Sequence, residues 1–206
     1  TLSFWGKDVR RPSYRIAADF FLRGLGLVYV IAFLSLAVQV LGLIGSSGIL
    51  PVTGYLDQVR RHFGERSFWI APTVAWLNSG DSFLLFLCGG GATLGALAIA
   101  GVLQLPALAL AWLFYLSLAV AGQDFTGFQW DNLLLETGLF ALFIAPLKTF
   151  GRFPAAKEPS RFGLFMLRWL LFRLMFSSGL VKLTSGDVTW HNLTALQVHY
   201  ETQCLP

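Results

Sequence analysis

The stretch LRWLLFRLMFSSGLVKL, residues 167 to 183, decides what solvent this chain folds in. In water, Arg168 and Arg173 would be ordinary surface residues of a helix. In lipid they need partners, because an arginine at mid-bilayer costs about 2.5–3.5 kcal/mol even on insertion scales. Composition points to lipid: of 206 residues, 55% are hydrophobic and 13% charged, against about 25% charged in an average globular domain. Mean hydropathy is +0.64. The apolar residues are also gathered into long runs, as spanning helices require, rather than spaced along one face of a half-buried helix.

Five such runs predict an all-α, polytopic helical bundle with about five transmembrane helices, at residues 16–44, 82–103, 107–121, 133–147 and 162–181. The third is shorter than the usual span of about 20 residues. LQLP, 103 to 106, reads as a tight turn between the second and third, and KTFGRFPAAKEPSR, 148 to 161, as a charged loop between the fourth and fifth. No repeat period is visible, so the chain is expected to be a single transmembrane domain over 1–206, the N-terminal part of a longer protein. The first run is too long for a signal-peptide core and reads as a retained anchor.

Charge orients the runs. Lys7, Arg10, Arg11 and Arg15 precede the first, and Lys148, Arg152, Lys157 and Arg161 lie between the fourth and fifth. Five crossings put both groups on one side, which the positive-inside rule makes cytoplasmic; the C-terminus is then extracytoplasmic. The basic pI of about 9.3 therefore reflects membrane sidedness, and nucleic acid is not an expected partner. In the first outer loop, GYLDQVRRHFG, 54 to 64, places Tyr55, Leu56, Val59 and Phe63 on one face, the pattern of an amphipathic interfacial helix; Trp69 and Trp76 suit the headgroup belt.

The charges inside the runs predict an intramembrane polar network. Asp19 and Arg23 stand four apart, on one helix face. Arg168 and Arg173, five apart, are separated by about 140° and need different partners. Depth favours Glu136 for Arg173, with Arg168 nearer Asp19. A pocket at the outer face would be bordered by Trp130, Asp131, Glu136 and Arg173. GGGATLG, 89 to 95, lacks the strand and the Lys-Ser/Thr of a phosphate loop; Gly91 and Gly95 read instead as a close helix contact. Cys88 and Cys204 do not make a disulfide framework. His191, His199 and Glu201 match no common metal spacing, so no metal and no cofactor is expected. No nucleophile stands near an evident base, so an enzyme is the less favoured class.

FQWDNLLLETGLFALFIAPL, 128 to 147, and RWLLFRLMFSSGLVKLTSGDVTWHNLTALQVHYETQCLP, 168 to 206, resemble the lipase maturation factor family, as does GILP after the first run. The resemblance covers nearly the whole chain. It implies a membrane-anchored maturation factor or chaperone that assists folding and assembly of secreted lipases, the client being met by a domain beyond this chain. It implies the endoplasmic reticulum membrane in a eukaryote, or the inner membrane in a bacterium, with membrane lipid as surroundings. By position it marks Glu136, Arg168 and Arg173 of the polar network, and Trp130, Asp131, Thr137, Lys182, His199, Tyr200, Glu201 and Thr202 as candidates for the outer-face pocket, and assigns none a catalytic role. Two other classes are kept beside it: a membrane enzyme distantly like vitamin K-dependent carboxylase, acting on a lipid or quinone-like substrate, and a proton-coupled transporter using Glu136. The transporter is disfavoured by the lack of an inverted repeat.

Overall fold

The computed structural model describes residues 13–147 and 158–202, and among them every regular element is helical apart from a single isolated bridge residue. Lys7, Arg10, Arg11, Lys148, Arg152, Lys157 and Cys204 lie outside the described residues. The chain divides into two compact units, Thr1–Leu164 and Phe165–Pro206.

In the first unit the apolar runs become α1 (Arg15–Ile44), α4 (Asp81–Ala100) and α5 (Gln104–Ala121), with two short helices, α2 (Val52–Phe63) and α3 (Ser67–Ile70), between α1 and α4. These three long helices, and α7 (Arg161–Thr184), are long and apolar enough to cross a bilayer. Leu22, Tyr29, Phe33, Val40 and Ile44 are buried on α1, alternating steps of seven and four that keep one stripe facing a neighbour. That neighbour is α4, which meets α1 through small residues. A Cβ on Gly26 would stand 2.9 Å from the Gly95 carbonyl oxygen, and one on Gly95 would stand 2.9 Å from that of Gly26. Backbone contact at this distance is open only to glycine, and Gly91 similarly leaves room for the Phe33 ring. Ile31, Leu34 and Val38 of α1 remain exposed, as suits a helix whose outer face meets hydrocarbon.

α4 ends where Gly101 adopts a left-handed conformation, φ 75°, and its N–H reaches Ala98 and Leu97 carbonyls. α5 then starts at Gln104, three residues before the apolar run suggests. Pro106 falls within its first turn, where a missing N–H breaks no helical bond.

The largest departure from the sequence expectation concerns the fourth run. Over 133–147 the structure has α6, Gln129–Ala141, which starts on polar residues and ends early. Its thirteen residues reach about 20 Å, short of a hydrocarbon core of about 30 Å. Pro146 accounts for the early end: it offers no N–H to the Leu142 carbonyl and disfavours helical backbone at Ala145. Tight turns replace the helix, with Leu142, Phe143 and Ile144 N–H groups bonding three residues back.

Gln123 and Glu158 nonetheless lie at opposite ends of the unit. At one end of the unit, Ser46 binds Asp81 through N–H (2.7 Å) and hydroxyl (2.8 Å), and Gln123, just past α5, donates to the Leu50 carbonyl. At the other end, Glu158 accepts from the Ser13 hydroxyl (2.6 Å) and the Tyr14 N–H (3.1 Å) and pairs with Arg15 at 3.2 Å. The chain therefore leaves α5 at the first end and reaches Glu158 at the end where α1 begins. The Ser13 hydroxyl, the Tyr14 N–H and Arg15 hold the Glu158 carboxyl below the usual glutamate range. A depressed carboxyl pKa means the tie holds at neutral pH and is released as pH falls through that lowered value. Cysteines at positions 13 and 158 are expected to cross-link with a short bifunctional maleimide, whereas a 46/158 pair is not. Cross-linking of the second pair and not the first would overturn this path.

The second unit contains α7 beyond Leu164, α8 (Val188–His191) and α9 (Ala195–Thr202). Asp187 caps α8 by accepting from Thr189 N–H at 2.9 Å, which holds its carboxyl below the usual aspartate range.

Candidate functional site

Of the expected polar network, Asp19 and Arg23 are brought together as the spacing requires: Arg23 Nε lies 3.1 Å from Asp19 Oδ2, and Asp19 is 4% exposed. Arg23 also donates to the carbonyl of Ile99, in the last turn of α4. One guanidinium thus neutralises a buried carboxylate and caps a helix terminus, where a cation complements the helix dipole. Glu136 stands half-buried on α6 of the first unit, while Arg168 and Arg173 occupy exposed positions on α7 of the second.

The residues expected around an outer pocket also divide between the units. In the first, Trp130 is exposed and stacks on Phe128 with centroids 4.6 Å apart, and Thr137 is half-buried. Asp131 is buried rather than open, and accepts a 2.6 Å hydrogen bond from the Tyr115 hydroxyl. In the second, Lys182 sits 4.7 Å from the Trp190 ring centroid, a cation–π contact joining α7 to α8. His199, Tyr200 and Glu201 are exposed, the His199 and Tyr200 rings 5.9 Å apart, and Thr202 closes α9.

The feature that sequence reasoning missed is the aromatic centre of the first unit. Tyr29, Phe33 and Tyr115 meet with centroids 5.6 to 6.1 Å apart. Tyr115 reaches Asp131, the Trp112 indole donates to the Leu135 carbonyl at 2.8 Å, and Gly138 leaves room for the Tyr29 hydroxyl. Together these fasten the short α6 to α5 and α1. Among the described residues the Tyr29 hydroxyl alone is a buried side-chain polar atom without a hydrogen-bond partner. The available signal was a tyrosine inside each of two apolar runs, LVYV at 27–30 and WLFYLSL at 112–118, since a buried phenol usually seeks a polar partner.

What this centre can do chemically is hold helices together. Among the described residues no group of three His, Cys, Asp or Glu is placed to hold a metal ion. A cavity of about 10 Å³ beside Val40, Leu118 and Thr126 has room for no more than a single water.

Comparison with known proteins supplies the family. A family model described as the lipase maturation factor transmembrane domain matches residues 16–206. Lipase maturation factor 2 of Xenopus laevis is 43% identical over 201 residues, covering 94% of this chain and 28% of the relative. The mouse protein of the same name is 42% identical, covering 94% and 30%. Lipase maturation factor 1 of Bos taurus is 37% identical, covering 98% and 38%. The chain thus spans well under half the length of the relatives it matches. No solved structure matches. A family-model match across almost the entire chain, on an all-helical framework of membrane-spanning length, makes this chain a member of the lipase maturation factor family.

Proposed function

We propose that this chain is the membrane-embedded part of a maturation factor that helps secreted lipases reach an active, assembled state. The observation that carries the proposal is the similarity to proteins named lipase maturation factors over more than nine-tenths of the chain. The bundle supports it: fastened by buried aromatic and glycine contacts, it suits an anchor and platform. On this reading Asp19, Arg23, Glu136, Arg168 and Arg173 set helix register, and the residue 45–80 end of the first unit faces the compartment in which the lipase folds. That compartment is the endoplasmic reticulum lumen in a eukaryote and the space outside the inner membrane in a bacterium.

The test uses the full-length protein that contains this chain, expressed with a secreted lipase in cells lacking their own maturation factor. Secreted lipase activity per unit of lipase protein is expected to rise with the factor, while lipase synthesis stays level. Unchanged specific activity would reject the proposal.

A further inference from the structure

The segment between α1 and α4 exposes more large apolar side chains than a surface loop in water does. Ile49, Phe63, Phe68, Trp69, Ile70 and Leu77 are all exposed, Trp69 by 88%. They are held in place by a rigid scaffold. α2 buries Val52, Leu56 and Val59, one stripe at helical spacing. Phe63 continues the same stripe at the last residue of the helix but is exposed there. The buried Ser67 hydroxyl donates to the Gly64 and Val59 carbonyls, locking α3 against the end of α2. Thr73 donates to the Ser117 carbonyl at 3.0 Å, tying the following loop to α5. Trp76 turns inward, its indole donating to the Ala71 carbonyl at 2.8 Å with the Phe68 ring against it. Trp69 is left pointing outward.

Guanidiniums interrupt this apolar surface. Arg60, Arg61 and Arg66 are exposed and flank Phe63, and among the described residues none of them forms an ion pair. Asp57 and Glu65 are the acidic side chains of the same stretch, so cations outnumber anions by three to two. A partner helix would be met by a continuous apolar stripe. Apolar rings and arginines mixed within one short, rigid segment, beside helices long enough to span, fit the boundary between acyl chains and headgroups. The exposed apolar surface of α1, ending at Val38 and continued by Ile49, leads to the same level.

We infer that α2 and α3 form an interfacial anchor. Phe68, Trp69 and Ile70 enter the acyl boundary, and Arg60, Arg61 and Arg66 bind headgroup phosphates of an anionic phospholipid.

The test places the chain, with Cys88→Ala and Cys204→Ser, in nanodiscs of phosphatidylcholine with phosphatidylglycerol. A spin label at position 69 is expected to collide with oxygen and be shielded from a water-soluble nickel chelate, while a label at position 57 shows the reverse. Native mass spectrometry is expected to find bound phosphatidylglycerol reduced about a hundredfold when Arg60, Arg61 and Arg66 become glutamine, since each arginine near a membrane surface contributes about fivefold. Bound phosphatidylcholine should not change. A label at 69 open to nickel would place the segment in water, and one shielded from both reagents would place it against protein; either overturns the anchor. Unchanged phosphatidylglycerol in the triple variant overturns the headgroup site. Should that variant fail to fold, Arg66→Gln alone, expected to lose about fivefold, decides the point.

Discussion

Gly26→Ala is expected to destabilise the first unit by about 2 kcal/mol, the usual cost of forcing extra volume into a closed contact. Gly24→Ala, two residues earlier on the same helix, is expected to stabilise it by about 0.5 kcal/mol through the ordinary preference of helices for alanine. The signs differ because the surroundings differ. A Cβ at position 26 meets the Gly95 carbonyl oxygen at 2.9 Å and the Ala98 Cβ and Ile99 nitrogen at 3.1 Å, whereas one at position 24 meets nothing within 4 Å. Two of the three obstacles are backbone atoms, so they cannot swing aside. The helices must separate, and every contact along the shared stripe loosens with them. Gly95→Ala should behave like Gly26→Ala, since it meets the Gly26 oxygen and Val30. Unfolding in mild detergent, followed by thermal or denaturant titration, measures all three. Equal midpoints for the variants at 24 and 26 would refute the close crossing.

A comparable effect is expected at the aromatic centre, again with opposite signs for one kind of substitution. Tyr115→Phe removes the hydroxyl that donates to the buried Asp131 carboxylate. It should cost about 2 kcal/mol, as for hydrogen bonds to charged groups. Tyr29→Phe removes a buried hydroxyl that has no partner among the described residues. That should stabilise by about 1 kcal/mol, the desolvation cost of an unmade bond being relieved. Asp131→Asn keeps an oxygen for Tyr115 and should cost less than Tyr115→Phe. The same unfolding measurement applies, and a loss on Tyr29→Phe equal to that on Tyr115→Phe would show that the two hydroxyls are not distinguished in this way.

These contrasts also mark what could be read from residues in order. The long helices were legible because an apolar run of spanning length has few other fates in lipid, and the ends of α1 and α7 agree with the runs to within three residues. The closeness implied by Gly91 and Gly95 was legible too, since small residues four apart have a local signature. Their partners were not, for Gly26 and Phe33 lie more than fifty residues away and nothing local pairs them. α6 was misjudged at both ends for separate reasons. Its first turn, Gln129 to Asn132, is polar and so falls outside an apolar run, yet Asp131 is satisfied by Tyr115 from another helix. Its last turn is apolar enough to look helical, but Pro146 stops it. The Glu158 tie to Ser13 and Arg15 was likewise hidden, because it joins positions 145 apart.

The unequal lengths of α1 and α4 settle how charge is tolerated at the start of the fold. α4 has twenty residues, about 30 Å, close to the thickness of a hydrocarbon core; α1 has thirty, about 45 Å. Their upper termini are level, because Ser46 grips Asp81. At the other end Arg23 reaches the Ile99 carbonyl in the last turn of α4, so the eight residues before it, Arg15 to Leu22, run on past that neighbour and include Arg15 and Asp19. Arg15 on this extension is exposed, whereas Asp19 is buried by protein and is offset by the guanidinium four residues on rather than by solvent.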